Sequence, residues 1–409
     1  MTQRLFRIAA VALLTVVAAP AAAQDWSRPD PKAEPWRDAR LRIGPLFFNP
    51  TFQIKDLGVD QNVFNDVPGA ERRDLTGTLS MTSQAGLQVR RLLVTAQQNN
   101  SYIWFRTYTS ERSVDGSLKV VGELRLGALR PWAAIERSES HARGFEIDAR
   151  AGRQAPAWEF GSDIQFGWRI GATGAYRKRS QRYAEGERFE DVELREVLDY
   201  EGEEFRGHGR LQLTDFTSAV GGVDYFRMRF DRAAIRNSDD VYYFAGLEST
   251  AESRLGLNLK IGWMEQRHKD PAVQGFSGVV ASGSTTFVVA DVMQLRFGAD
   301  RRIGLSYLER YPYYIEAGGD ARTTIRFMPQ FDLRFDAQLR WLSYRNTVTG
   351  TEDPRQDRSL VLGGEFGYFL GGTSGSRVGI RYEYAERTSP VALKKYKRSR
   401  FYSQFSLSF

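Results

Sequence analysis

The chain has 409 residues, 26% of them charged, 13% aromatic and none cysteine. A formal charge of +7 is mild for that length and makes no case for nucleic-acid binding. Without cysteine, disulfides and thiolate metal sites are excluded, and with them the small stapled secreted folds.

The N-terminus reads as an export signal. Arg4 and Arg7 precede an apolar run from Ile8 to Ala19, followed by Pro20 and Ala21-Ala22-Ala23. That order predicts a signal peptide over 1–23, cut between Ala23 and Gln24. The run is shorter than the ~20 residues of a spanning helix, which disfavours an anchor. Residues 24–40, rich in proline and charge, are expected to form a leader on the periplasmic side. Its Trp26, Arg28, Trp36 and Arg37 suit either a lumen plug or a periplasmic docking segment.

From Leu41 to Phe409 the composition does not shift, so a single domain is expected. Its dominant pattern has period two. LKVVGELRL sets Leu118, Val120, Leu124 and Leu126 against Lys119, Glu123 and Arg125. WEFGSDIQFGW sets Trp158, Phe160, Ile164, Phe166 and Trp168 against Glu159, Asp163 and Gln165. LGLNLKIGW, FDLRFDAQLRW and VGIRYEYAER repeat the pattern at 255–263, 331–341 and 378–387. Alternation means strands with one greasy and one charged face.

Beyond the signal no apolar run reaches the ~18 residues of a spanning helix. An exported chain that enters a bilayer is then left with a closed barrel, since lipid cannot satisfy open backbone groups. Strand lengths of about 10–16 residues exceed the ordinary 5–6 and suit a tilted spanning strand. Short turns are expected near Arg90-Arg91, Gly127-Ala128, Gly171-Ala172, Asp215-Phe216, Glu252-Ser253, Asp291-Val292, Met328-Pro329 and Gly371–Gly375. Longer polar loops are expected at 185–203, 232–239, 346–357 and 389–397. The fold class expected is all-β: a single-chain antiparallel transmembrane β-barrel of about 18 strands, with 16 the nearest alternative and both termini periplasmic. Segments 92–106, 218–231 and 240–250 alternate poorly. Arg301 falls on the lipid side, which a bulge or a place near the interface would resolve.

The chain ends FYSQFSLSF, with Phe401, Phe405, Leu407 and Phe409 on one face. A terminal strand finishing in phenylalanine resembles the assembly signal of Gram-negative outer-membrane barrels. It implies Phe409 as the residue read by the barrel-assembly machinery, and the outer membrane, with its lipid and lipopolysaccharide, as the location.

Charges as dense as those of the second face imply water or mutual pairing, because burying each alone costs several kcal/mol. Arginine outnumbers lysine roughly five to one. Arg125, Arg169, Arg210, Arg296, Arg322, Arg334, Arg340 and Arg381, with Asp332, Asp336 and Glu383, are therefore candidates to line a pore. Two roles are open to them: attraction of anionic solute, or cross-strand pairing that satisfies the wall. The near balance of signs favours pairing for most.

No catalytic pattern stands out. The three histidines, His141, His208 and His268, lie in no H-E-x-x-H, G-x-S-x-G or Walker context. No enzyme, metal or cofactor is expected. Asp60, Asn62 and Asp66 could offer oxygens to calcium, but a turn accounts for them better. The acidic stretch 185–204 is expected to be solvated and outward, where cations could bridge it to lipopolysaccharide.

The segment LRIGPLFFNPTFQIKDLGVDQNVFND (41–66) resembles the opening of the proteobacterial barrels known as beta-barrel porin type two, through Gly44-Pro45 and Gly58, Asp60, Asn62, Val63 and Phe64. GFEIDARAGR (144–153) resembles a second recurrent segment, with Glu146, Ile147, Asp148 and Arg150. Lys55-Asp56 is a departure that looks like an insertion. The resemblance implies an outer-membrane barrel often linked to export of capsular or extracellular polysaccharide, and it brings no catalytic residues. The favoured expectation is thus a pore exporting anionic polysaccharide, with a periplasmic export partner. The alternatives are an uptake porin and a plugged structural barrel in an envelope complex.

Overall fold

The computed structural model of the protein describes residues 39, 41–249, 255–290, 292–345, 355–370 and 376–408. Phe409, the Ala23–Gln24 junction, nearly all of the leader and the expected turns at 252–253 and 371–375 lie outside them.

Eighteen antiparallel strands, each paired with its sequence neighbour, form one closed sheet. They are β1 (Leu46–Asp60), β2 (Asp74–Val89), β3 (Leu92–Phe105), β4 (Ser113–Leu124), β5 (Leu129–Ser140), β6 (Ala157–Phe166), β7 (Ile170–Tyr183), β8 (Tyr200–Gln212) and β9 (Thr217–Phe230). The second half comprises β10 (Ser238–Ser249), β11 (Leu255–His268), β12 (Phe276–Val289), β13 (Met293–Leu305), β14 (Tyr313–Met328), β15 (Phe331–Arg345), β16 (Gln356–Leu370), β17 (Ser376–Thr388) and β18 (Tyr396–Ser408). β1 pairs with β18 from Thr51↔Ser408 to Asp60↔Arg400, and this pairing removes the last edge. The three poorly alternating segments are β3, β9 and β10. Their register to both neighbours is unbroken, so the backbone ladder carries them where the side-chain pattern is weak.

The outward faces stay apolar and solvent-accessible. Ile261, Phe335 and Tyr382 are each half or more exposed, and comparable side chains occur on most strands. A continuous girdle of this kind far exceeds the apolar patches a soluble monomer tolerates, and hydrocarbon is the solvent that suits it. Its limit toward the long-loop end is marked on β6–β9. Trp158, Tyr176, Phe205 and Tyr225 form a row of ring contacts 4.8–6.1 Å apart. Above that row the same outer face turns ionic, with Lys178–Glu201 and Arg227–Glu203 pairs at 3.1 Å. Arg301 belongs to this border. It keeps register with Ala281 and Ala317, so no bulge turns it inward. Its guanidinium donates to the Val279 carbonyl and lies 5.7 Å from the ring of Phe276, the first residue of β12 after a long loop.

One local feature differs from expectation, and a second gives an expected irregularity its form. The turn between β6 and β7 is at Gly167–Arg169, where Gly167 takes φ +62°, and not at Gly171-Ala172. Arg169 is therefore a turn residue, its guanidinium 4.1 Å from the Trp168 ring, and not part of the strand wall. Lys55-Asp56 forms a β-bulge: the pairing of β1 shifts between Ile54 and Leu57, with Asp56 at φ +54°. The bulge turns the Asp56 carboxylate to 3.4 Å from Arg400.

At the seam Asp60 is 1% exposed and accepts hydrogen bonds from Arg398, with Arg400 at 3.5 Å. Asp60→Ala would leave two guanidiniums facing each other. We expect a loss of about 3 kcal/mol, the low end for a broken buried pair because both arginines keep some solvent contact. The folded band in unboiled SDS gels should then convert to the unfolded one at a lower temperature. An unchanged conversion temperature would show that the seam rests on its backbone ladder alone.

Candidate functional site

The inner face is organised by cross-strand ion pairs. Arg381 grips Asp336 through two hydrogen bonds of 2.5 and 2.8 Å and also meets Glu383 at 3.3 Å. Arg377 lies between Asp332, at 2.7 Å, and Glu365, while Arg334 reaches Asp332 at 3.0 Å. Arg340 meets Asp300 at 2.6 Å, and Arg302 meets Glu316 at 2.8 Å. Arg125, just past the end of β4, is held locally by Glu123 of the same segment at 3.0 Å. Two of these bridges join β15 to β17 across β16. They pass over Gly363 and Gly367, where a Cβ would collide with the bridging guanidiniums. Glycine inside a strand marks such an approach.

Arg296 and Arg322 differ. They stand directly opposite each other on β13 and β14, both are exposed, and among the described residues neither has an ion-pair partner. Like charges opposite one another repel. From this pair a row of opposed residues runs Asp336, Gly363, Glu383, Arg400, Asp60, ending at the long-loop end of β1. The tilt of the strands carries this row from the short-turn end of the lumen to the other.

The lumen is narrowed by its own loops. L3 (141–156) leaves β5, and its Glu146, 5% exposed, accepts hydrogen bonds from Ser306 (2.7 Å) and the Tyr344 hydroxyl. Tyr344 is on β15, ten strands from β5 in one direction and eight in the other round the ring of eighteen, so L3 crosses the full lumen. Arg387 of β17 donates to the Phe145 carbonyl at 2.5 Å and to Asp357 at 2.6 Å. Asp148 accepts from Asn65 at 2.6 Å, and Arg150 donates to Ser113 at 2.5 Å. Burial pushes the Asp148 carboxyl above its ordinary range and the Arg143 and Arg150 guanidiniums below theirs.

L4 (184–199) carries a one-turn helix, α1 (Leu194–Leu198). Leu194, Val197 and Leu198 are buried with Ala151 of L3, Tyr183 and Tyr307, and Tyr307 belongs to L7 (306–312). This corrects the expectation that the acidic stretch 185–204 is simply solvated, because its apolar residues close the centre of the lid. Glu190 accepts from Tyr307 (2.5 Å) and lies 2.9 Å from Lys394, whose ammonium is 3.9 Å from the Phe189 ring. Burial alone would raise the Glu190 carboxyl, but those two donors outweigh it and leave it below its ordinary range. Arg236 staples L7 to the loop after β9 by donating to the Ser306, Leu308 and Pro312 carbonyls. Burial lowers it to about 10, still charged at neutral pH.

Beneath this lid, among the described residues, lie two chambers of note. One, of about 140 Å³, is bounded by L3, by Leu198 of L4, by β7–β11 and by β13–β14. The other, of about 270 Å³ near the short turns, is lined by Arg130, Asp163, His208, Arg210, Glu248 and Lys260. His208 bonds Asp224 at 2.6 Å, as a satisfied lumen histidine would. Asp60, Asn62 and Asp66 are engaged by Arg398, by the turn's own backbone and by Arg72.

Of the residues chosen from sequence, Arg334, Arg340, Arg381, Asp332, Asp336 and Glu383 fall within ion-pair ladders, and Arg125 pairs within its own segment. Arg296 and Arg322 come together unpaired, Arg210 borders the lower chamber, and Arg169 is in a turn. Sequence reasoning missed Glu146, Tyr344, Arg236, Asp357 and Arg387. The stretch 144–153 was visible as a recurrent segment, but its role was not.

A family model described as "Putative beta-barrel porin 2" matches residues 200–409. Among solved structures, Pseudomonas aeruginosa OccK2 (OpdF) in complex with glucuronate is similar at 10% identity, over 88% of this chain and 98% of that one, with a TM-score of 0.50. Acinetobacter baumannii OccAB3 is similar at 10% identity, over 88% and 99%, with a TM-score of 0.49. At such identity the likeness is one of fold. No curated protein matches the chain.

Glu146→Ala removes the acceptor that ties L3 to the far wall. Single-channel conductance in planar bilayers should rise, with more frequent transitions between levels. Tyr344→Phe, which loses one donor of the pair, should raise it less. Identical traces for both variants and the parent would mean that L3 is held by other contacts.

Proposed function

Because the chain belongs to the beta-barrel porin 2 family, we propose that this outer-membrane barrel is an uptake channel selective for small solutes, with a preference for those bearing a carboxylate. One observation carries the reading: L3 crosses the lumen and is tied to the far wall through Glu146 and Tyr344. A lumen crossed by a tied loop suits small solutes better than a polymer. A polysaccharide in transit would need L3 and L4 to leave together, with the apolar cluster of Leu194, Leu198 and Tyr307 opened to water, so the geometry gives polymer export no support.

In this reading the short turns face the periplasm, as in other outer-membrane barrels. Both ends of the barrel domain, 41–409, lie there, after a signal peptide over 1–23 cut between Ala23 and Gln24 and a leader over 24–40. Phe409 is the residue for the barrel-assembly machinery. Arg210, Arg296 and Arg322 then stand at the periplasmic mouth, where weak contacts with an anion favour entry and still permit exit.

The test is reconstitution. Planar bilayers should show anion-preferring channels, and liposome swelling should admit small carboxylates while excluding oligosaccharide acids. The double variant Arg296→Ala, Arg322→Ala should reduce the anion preference severalfold with little change in fold. A barrel that never conducts would support a plugged structural role. Passage of oligosaccharide acids at the monomer rate would restore export.

A further inference from the structure

Asp240 is the third residue of β10 and is 3% exposed. It stands opposite Phe226 on β9 and opposite Gln266 on β11. The Gln266 amide donates to its Oδ2 at 3.4 Å. Its Oδ1 and the Gln266 Oε1 have no hydrogen-bond partner, although both are buried. Other buried acids of the wall, Asp60, Glu316, Asp332 and Asp357, each meet an arginine. Among the described residues no cation pairs with Asp240.

Asp240 and Gln266 both line the upper chamber, with Tyr200, Phe226, Met228 and Tyr314 as apolar and aromatic wall. Arg153 and Arg179 also border it, against Glu146 and Asp240, and Arg179 is held by Glu204 at 2.9 Å. Two free acceptors side by side call for a donor-rich group. With only water or a hydroxyl there, the buried carboxyl, which also has Ser238 beside it, avoids an unpaired charge by holding a proton, and a cation that enters displaces that proton. An ammonium supplies the donors and the charge together, and aromatic faces favour it further.

We propose that the chamber at Asp240 and Gln266 binds the protonated amine of a small solute. The inference deepens the small-solute reading and rests on it for the path by which the ligand arrives. Together with the arginines at the other mouth, it describes a channel suited to small zwitterions.

The experiment titrates the full barrel in detergent with three size-matched probes: ethanolamine, ethylene glycol and glycolate. Calorimetry should detect ethanolamine at least tenfold more tightly than the other two. Asp240→Asn should abolish that preference, and Gln266→Leu should weaken it. Equal binding of all three probes, or full ethanolamine affinity in a folded Asp240→Asn barrel, overturns the proposal. Should Asp240→Asn not fold, the probe series on the parent and on Gln266→Leu decides alone. In bilayers, a barrel that conducts without favouring ethanolamine sinks this inference and spares the channel. A barrel that binds ethanolamine but never conducts keeps the site and sinks the channel.

Discussion

A sheet that lives in hydrocarbon can leave no backbone edge unpaired. Every other property of this molecule follows from satisfying that constraint at one seam, where β1 meets β18. Once the ring is closed, its outer face must match lipid and its inner face has nowhere to put charge except into water or into other charges. The ion-pair ladders of β13–β18 are the second outcome, and the unpaired Arg296 and Arg322 are an instance of the first.

The ring is too wide to be filled by side chains from its wall alone, as rings of this strand number are. The loops do that work. L3 reaches the opposite wall with a buried carboxylate, and L4 brings a short apolar helix to meet it. The closed end is thus built on a small soluble-style core, with Leu194 and Tyr307 at 0% exposure, inside a protein whose wall is turned inside out. A hydrogen bond from Asn65, in the loop after β1, and the ionic contact of Lys394, in the loop after β17, complete it, so elements distant in sequence share one lid.

What could be seen in the sequence was whatever depends on the nearest neighbours along the chain. The period-two pattern of 331–341 places Phe335 outward and Asp332 and Asp336 inward, as found. Lys55-Asp56 stood out as an extra pair, and it is a bulge. The β6–β7 turn was misplaced because Gly167 and Gly171 both suit a turn and alternation runs through Trp168. Leu194, Val197 and Leu198 were hidden by the acids around them, since one helical turn is too short to show a period. Glu146 and Tyr344 are 198 residues apart, and nothing local announces that they meet. Gly363 and Gly367 were a usable signal: glycine at inward positions of a strand invites a neighbour to lean across.

Those two glycines have a mechanical consequence. With no side chain on β16 in the way, arginines of β17 clasp acids of β15, so three strands are braced laterally as well as along their ladders. The β15–β17 sector is thereby a stiff stave, and L3 docks on it. In the sector of β8–β12 the reach over a strand is the His208–Phe244 ring contact of 4.6 Å across β9, weaker than a bidentate ion pair, and Gly207, Gly209, Gly221 and Gly222 follow in close succession. Any breathing of the cylinder is then taken up on that softer side, while the anchorage of the crossing loop stays fixed.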